Sequence, residues 1–266
     1  MTDLLRDIGY ALRRLARAPG LTALIVVTLG LGIGVNTAVF TVVNSLLIRP
    51  LPYKEPDRLV VLWETQKDKS PMSVAVPNFR DWQEQASSFE QVAFYGAQMF
   101  TFRSPSGSAE KVAGEWVSAS YFPTLGVSAR LGRVLNEEEA GRGRGAPSAV
   151  IGHTLWQSQY GSDPGVLGKT IEVNKVPLTI VGVMPRGFRG FSGNAEVFVP
   201  VLMFDKLLPF LAQYNILNDR NTHWGDALGR LKPGVGLATA RADLETVAAR
   251  LQSSFPQFND GIGIGL

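Results

Sequence analysis

From Leu21 to Leu47 the chain reads LTALIVVTLGLGIGVNTAVFTVVNSLL, 27 residues without one charge. Coiled as an α-helix at about 1.5 Å per residue, this run is roughly 40 Å long, more than the roughly 30 Å hydrocarbon thickness of a bilayer. A soluble helix of such length keeps a charged face toward water, and this one has none. The expectation is a transmembrane helix over residues 20–48. A cleaved signal peptide is the competing reading. Its apolar core spans about 7–15 residues and ends at a small-residue cleavage site, and this run is too long and lacks a clear site. The whole chain is not membrane-embedded, because 26 Lys and Arg and 23 Asp and Glu must be solvated. One span plus a globular part fits.

Arginine sets the orientation. Arg6, Arg13, Arg14 and Arg17 precede the run, while Arg49, Lys54 and Arg58 follow it among Glu55 and Asp57. Lys and Arg in short flanks favour the cytoplasmic side, which places the N-terminus in the cytoplasm and everything after residue 48 outside. The net charge of +3 and pI near 9.2 therefore read as a topology signal and not as a nucleic-acid face. Residues 2–17 (TDLLRDIGYALRRLAR) carry Leu4, Leu5, Ile8, Leu12 and Leu15 at helical spacing. An amphipathic helix on the cytoplasmic surface of the membrane lipid, over residues 1–19, follows; an ordinary basic flank is the plainer alternative. Pro19-Gly20 separates it from the span.

Within the run, Gly30, Gly34, Thr37, Thr41 and Asn44 fall on one stripe about 80° wide at 3.6 residues per turn. Small residues let helix backbones approach, and Thr and Asn hydrogen-bond across such contacts. These five are the candidate helix-packing residues, facing other membrane helices or a second copy of the chain. A plain anchor with glycines common to membrane helices is the simpler reading.

Beyond residues 49–57 (RPLPYKEPD), which hold three prolines and read as a stiff exit linker, short patterns alternate. LVVLWE (59–64), QVAFYGAQMFTFR (91–103), EKVAGEWVS (110–118), SAVIG (148–152), KTIEVNKVPLTIVGVMP (169–185), AEVFVPV (195–201) and DALGRLKPG (226–234) predict strands. Helices are predicted near Pro77 with Phe79 and Trp82 on a buried face, over 121–127 ending at Gly126, over HTLWQSQYG, from Phe204 to Tyr214 with Pro209 interrupting, and from Ala238 to Leu251. Ile262, Ile264 and Leu266 begin a further strand. Strands mixed with helices, without regular βαβ alternation, give an α+β domain.

Chemistry is sparse. The chain has no cysteine, which excludes disulfides, thiolate metal sites and thiol catalysis. His153 and His223 read as lone surface or capping residues. Glu137, Glu138 and Glu139 read as a solvated first helical turn. GRGRGAPS (141–148) is glycine-rich but lacks the G-K-[ST] of a phosphate loop. The expectation is no catalytic residue, no metal, no cofactor, no nucleic acid and no enzymatic activity.

The string GYALRRLARAPGLTALIVVTLGLGIGVNTAVFTVVNSLLIRPLPY (9–53) resembles the start of MacB/FtsX-type ABC transporter permeases, nearest to their duplicated orphan-permease branch. The resemblance continues through PNFRDWQEQASSFEQVAFY, VSASYFPTLGVSARLGRVLNEEE, AVIGHTLWQSQYGSDPGVLGKTIEVNKVPLTIVGVMP and LGRLKPGVGLATARADLETVAARL. It implies a MacB-like periplasmic core domain over residues 49–266, with a porter-like lobe and an inserted β-rich lobe. It further implies a permease subunit whose membrane helices couple a cytoplasmic ABC ATPase, supplied in trans, to that domain for export or mechanotransmission. Members of the family carry three further membrane helices, with the segment that contacts the ATPase among them. Their absence here gives the expectation of a truncated domain or fragment. A single-pass, membrane-anchored periplasmic interaction or sensor module without transport is the alternative.

Overall fold

In a computed structural model, which describes residues 17–43, 53–104, 107–141 and 145–266, the uncharged run forms helix α1 (Pro19–Val43). Leu24, Val26, Leu29, Ile33 and Phe40 all stand exposed along it. Among the described residues no helix is long and apolar enough to cross a membrane; the uncharged run itself continues past α1 to Leu47. The expected surface helix over residues 1–19 lies outside the described residues save for its last three positions. The chain divides into two units, Met1–Leu51 and Pro52–Leu266.

The second unit is built on β1 (Leu59–Thr65), β2 (Pro71–Met72), β3 (Val74–Ala75), α2 (Val76–Gln85), β4 (Phe89–Arg103), β5 (Ala109–Val117), α3 (Tyr121–Leu125), β6 (Leu131–Gly132), α4 (Glu137–Ala140), β7 (Ser148–Ile151) and α5 (His153–Tyr160). It continues with β8 (Thr170–Val173), β9 (Val176–Val183), β10 (Val197–Pro200), α6 (Phe204–Leu207), a 3-10 segment Pro209–Tyr214, β11 (His223–Leu231), α7 (Leu237–Ser254), α8 (Pro256–Asn259) and β12 (Gly263–Gly265). The sheet runs β12-β1-β11-β4-β5-β10-β7-β9-β6. Most pairs are antiparallel, but β5–β10 and β7–β9 are parallel. β8 pairs with both β4 and β9, so β4, β5, β10, β7, β9 and β8 close into a ring. The long strand β4 is thus shared between an open sheet and a small closed barrel.

Alternation explains the two cores. Successive side chains of a strand point to opposite faces. Along β4, Val92 and Phe94 enter one apolar cluster while Ala93 and Tyr95 enter another. The same switch occurs in β10, where Val197 and Val199 face the first cluster and Phe198 the second. The first cluster holds the barrel interior (Phe100, Phe102, Trp116, Ile171, Val173, Leu178) and receives Phe79 and Trp82 of α2. It also receives Ala240, Leu244, Val247 and Leu251 of α7, whose spacing of three and four residues makes one helical stripe. Burying such a Leu or Val contributes about 1.5–3 kcal/mol each. The second cluster lies beneath α3 and the loop around Phe188.

Two expectations change. Glu137–Glu139 do begin a helix, but they are not uniformly solvated. Asn136 caps that helix and Glu139 reaches back to the Asn136 N–H, a reciprocal capping box. Glu139 is also buried against Arg133 at 2.7 Å and Ser148 at 2.7 Å. His223 is neither lone nor capping; it opens β11 and meets a buried carboxylate. His153 opens α5 and packs edge-on to Trp156, ring centroids 5.5 Å apart.

Candidate functional site

The described part of the domain begins at Tyr53, and the segment Tyr53–Arg58 is fixed onto the sheet by its backbone. Arg230 of β11 points inward and is 4% exposed. Its guanidinium donates to the carbonyls of Thr124 and Lys54, each at 2.7 Å, and of Glu55 at 3.5 Å. Burial lowers its pKa from the usual value, and the neighbouring Arg58 adds to that; an arginine stays charged regardless. Arg58 in turn donates to the Leu231 carbonyl at 2.8 Å and pairs with Glu55 and Glu90. Glu55 stands at φ +45°, a left-handed conformation that costs a non-glycine residue about 1–2 kcal/mol. The close fit also fixes Gly126. It ends α3 at φ +68°, and a Cβ there would lie 2.5 Å from that of Lys54.

Beside this seam Tyr53 closes an aromatic patch. Its ring stacks on Phe191 at 6.2 Å, and its hydroxyl donates to the Gly190 carbonyl at 3.2 Å. The loop carrying Gly190 is held from below by Glu115 of β5, which is fully buried. Glu115 accepts the Ser192 N–H at 2.7 Å and the hydroxyl of Tyr121, while the Phe191 N–H donates to that same hydroxyl at 2.7 Å. Burial raises the Glu115 pKa, against the hydrogen bonds that favour its charge. Burial and then the Glu115 charge push Tyr53 up to about 12, and Tyr121 and Tyr95 are raised for the same leading reason. The tyrosines therefore act as hydrogen-bond donors, not as phenolates.

The other end of the domain has its own seam. Glu64 of β1 is 1% exposed. It accepts the Ala75 N–H at 3.2 Å, the Asn78 side-chain amide at 2.5 Å and the Nδ1 side of His223. Asn78 also donates to Asn259 Oδ1 at 2.8 Å and accepts from Arg220. Arg220 pairs with Asp81 at 2.7 Å and lies 3.7 Å over the Phe255 ring. Asn259 ends α8, just before β12 pairs antiparallel with β1 through Trp63↔Gly265 and Thr65↔Gly263. One connected polar network thus ties β1, α2, β11 and α8 together. β12 runs back beside β1, so its C-terminal end points to the side from which β1 sets out.

These residues position and hold: Arg230, Glu64 and Glu115 each spend their hydrogen bonds on backbone groups and neighbouring side chains. Among the described residues no group of three or more His, Asp or Glu could hold a metal ion. Of the helix-packing candidates, Gly30, Gly34 and Thr37 lie on α1 in exposed positions, and a Cβ on either glycine would meet nothing within 4 Å. The Thr41 side chain and Asn44 lie outside the described residues. Sequence reasoning missed Glu64, Glu115 and Arg230. The signal was present in each case as a lone charge inside an otherwise apolar strand pattern: LVVLWE, VAGEWV and ALGRL.

Comparison with known proteins is concordant. The model of the MacB-like periplasmic core domain matches residues 22–247. No curated protein sequence matches. Among solved structures, the extracellular domain of the noncanonic ABC-type transporter YknZ from Gram-positive bacteria superposes with a TM-score of 0.54 at 13% identity, over 78% of this chain and 100% of that one. The periplasmic region of MacB from Actinobacillus actinomycetemcomitans gives 0.56 at 13% identity, over 78% and 88%. A permease-protein domain from Porphyromonas gingivalis gives 0.56 at 16% identity, over 80% and 90%. At such identities the likeness is one of fold.

Proposed function

The chain belongs to the MacB-like periplasmic core domain family, and we propose that it works as the extracytoplasmic part of an ABC-type transporter permease, passing displacement from the membrane to this domain for export or mechanotransmission. The family generally partners with a cytoplasmic ATPase, and such a subunit in trans is the proposed source of motion. The observation that carries the reading is the pair of seams. Tyr53–Arg58 is bonded to the sheet through Arg230, and β12 returns beside β1 toward the same side. A domain inserted between membrane helices needs that geometry, because a push at either end must reach the sheet without slack.

On this reading the uncharged run to Leu47 is a membrane span with the N-terminus in the cytoplasm, supported by its length and by the arginine bias of its flank. The shared strand β4 joins the porter-like open sheet to the inserted β-rich lobe, the closed barrel. The domain does no chemistry of its own: its buried carboxylates hold backbone amides, side-chain amides and a histidine in place.

Two measurements test this. Alkaline phosphatase fused after Leu266 should be active and a cytoplasm-only fluorescent reporter dark; the reverse overturns the topology. In a complex with the partner ATPase, ATP should change amide exchange at Tyr53–Arg58 and Gly263–Gly265 more than within α5. Unchanged exchange at both seams would remove the coupling role.

A further inference from the structure

Halfway along β4 the sheet forks. On one side β4 pairs with β5 without interruption from Tyr95 to Arg103. On the other it pairs with β11 as far as Tyr95 and with β8 from Phe102 onward. Among the described residues it has no strand partner on that side from Gly96 to Thr101. The parity of the strand says which backbone groups face the gap. The Thr101 N–H donates to Asn174 Oδ1 at 2.8 Å, and its carbonyl accepts from the Asn174 N–H at 2.8 Å. Thr101 therefore turns its backbone toward β8. Backbone groups alternate sides along a strand, so Ala97 and Met99 present N–H and C=O to the same side. Ala97, Gln98 and Met99 are exposed in the middle of a 15-residue strand. Native edges are usually bulged, charged or covered. Here a side-chain amide of Gln98 reaches the Met99 carbonyl only at 3.4 Å.

The surroundings select what fits. A cavity of about 490 Å³ opens at the gap, lined by Met99, Lys111, Lys175, Leu208 and Phe210 among others, and no carboxylate lines it. Lys111 donates to Thr101 Oγ1 at 3.0 Å, and Lys175 sits at the tip of the β8–β9 turn. Phe210 is 68% exposed, Tyr214 61% and Met99 50%; such side chains are enriched at the centres of protein interfaces. An unpaired strand edge, an apolar floor and two lysines without an acid coincide.

We propose that the β4 gap at Ala97–Met99 is a docking edge for an extended segment of a partner protein that carries acidic side chains beside an apolar anchor. The segment adds a short strand by hydrogen-bonding to Ala97 and Met99. Its anchor lies against Met99 and Phe210, and its acids face Lys111 and Lys175. The proposal is independent of the transport role, since binding is read without ATP or an ATPase.

The test uses the full chain in lipid nanodiscs and a fluorescein-labelled hexapeptide alternating phenylalanine or valine with glutamate. Its counterpart carries lysine for glutamate. The acidic peptide should raise polarisation with a Kd below about 1 mM, bind at least about tenfold more tightly than the basic one, and slow amide exchange at Ala97 and Met99. The double variant Lys111→Glu/Lys175→Glu should invert the preference. If that variant does not fold, Phe210→Ser should weaken the acidic peptide about fivefold or more, as for a central interface aromatic. No binding of the acidic peptide, equal binding of the two peptides, or binding that leaves exchange at Ala97 and Met99 unchanged each overturns the proposal. So does a signal that persists on empty nanodiscs, which would assign the peptide to lipid.

Discussion

The two seams of the domain solve one task with opposite charges. At the N-terminal seam a buried guanidinium, Arg230, donates to carbonyls of Thr124, Lys54 and Glu55. At the C-terminal seam a buried carboxylate, Glu64, collects donors from Ala75, Asn78 and His223. An arginine holds backbone, whose carbonyls are present whatever the side chain. The glutamate here holds one backbone amide and two side chains, so its seam depends on the identities of Asn78, Asn259 and His223 as well. The first seam is robust to substitution of its targets and fragile at one residue. The second spreads its dependence over a network.

The largest expected effect follows from that asymmetry. Arg230→Met should cost about 3–4 kcal/mol, because three carbonyls lose a charged donor in a buried place. Thermal or denaturant unfolding of the chain measures it. A loss under about 1 kcal/mol would show that water replaces the guanidinium and that the N-terminal segment is loosely held. Glu64→Gln should cost less, about 2 kcal/mol, since the amide keeps one acceptor but sets an N–H against the donors around it. Asn78→Ala should then add little on top of Glu64→Gln, because residues in one network do not act additively. Full additivity would break the description of the C-terminal seam as a network.

The smallest effect concerns pH, and it comes from Glu115. Its pKa is raised by burial, so between the ordinary carboxylate range and its raised value the folded state binds more protons than the unfolded one. Stability therefore falls as pH rises through that window and is recovered as pH falls. Glu115→Gln removes this dependence. The variant should gain on the wild type as pH is raised toward neutral, seen as converging or crossing unfolding midpoints. A difference that stays constant across pH 4–8 contradicts it.

How much was legible varied with the range of the interaction. Strands and helices were read from local pattern: Ala240, Leu244, Val247 and Leu251 declare a helix stripe, and the alternation of QVAFYGAQMFTFR declares a strand. Ile262, Ile264 and Leu266 announced β12, which pairs with β1. What failed was long-range. Arg230 bonds carbonyls about 175 positions away, and a carbonyl leaves no mark in a sequence. His223 looked isolated because Glu64 stands 159 residues off. The closure of the barrel by β8 is likewise a pairing of distant strands. Glu139 was a different kind of miss, since Asn136 three residues ahead of it is a local capping pattern that was there to be read. The packing stripe on α1 remains a statement about sequence, with Gly30 and Gly34 open to whatever helix approaches.

The antiparallel return of β12 along β1 has a use for protein engineering. Because β12 is hydrogen-bonded beside β1, with Gly265 opposite Trp63, a linker running back along β1 could join Leu266 to Tyr53, keep the Tyr53–Arg58 segment that Arg230 holds, and make a circular chain. The circle could then be opened elsewhere, in the exposed turn after Lys232 for example, giving a permuted domain without a severed core strand. The same adjacency makes the unit a natural cassette. Grafted into a surface loop of an unrelated host, it would return to that host on the side of the sheet from which β1 sets out.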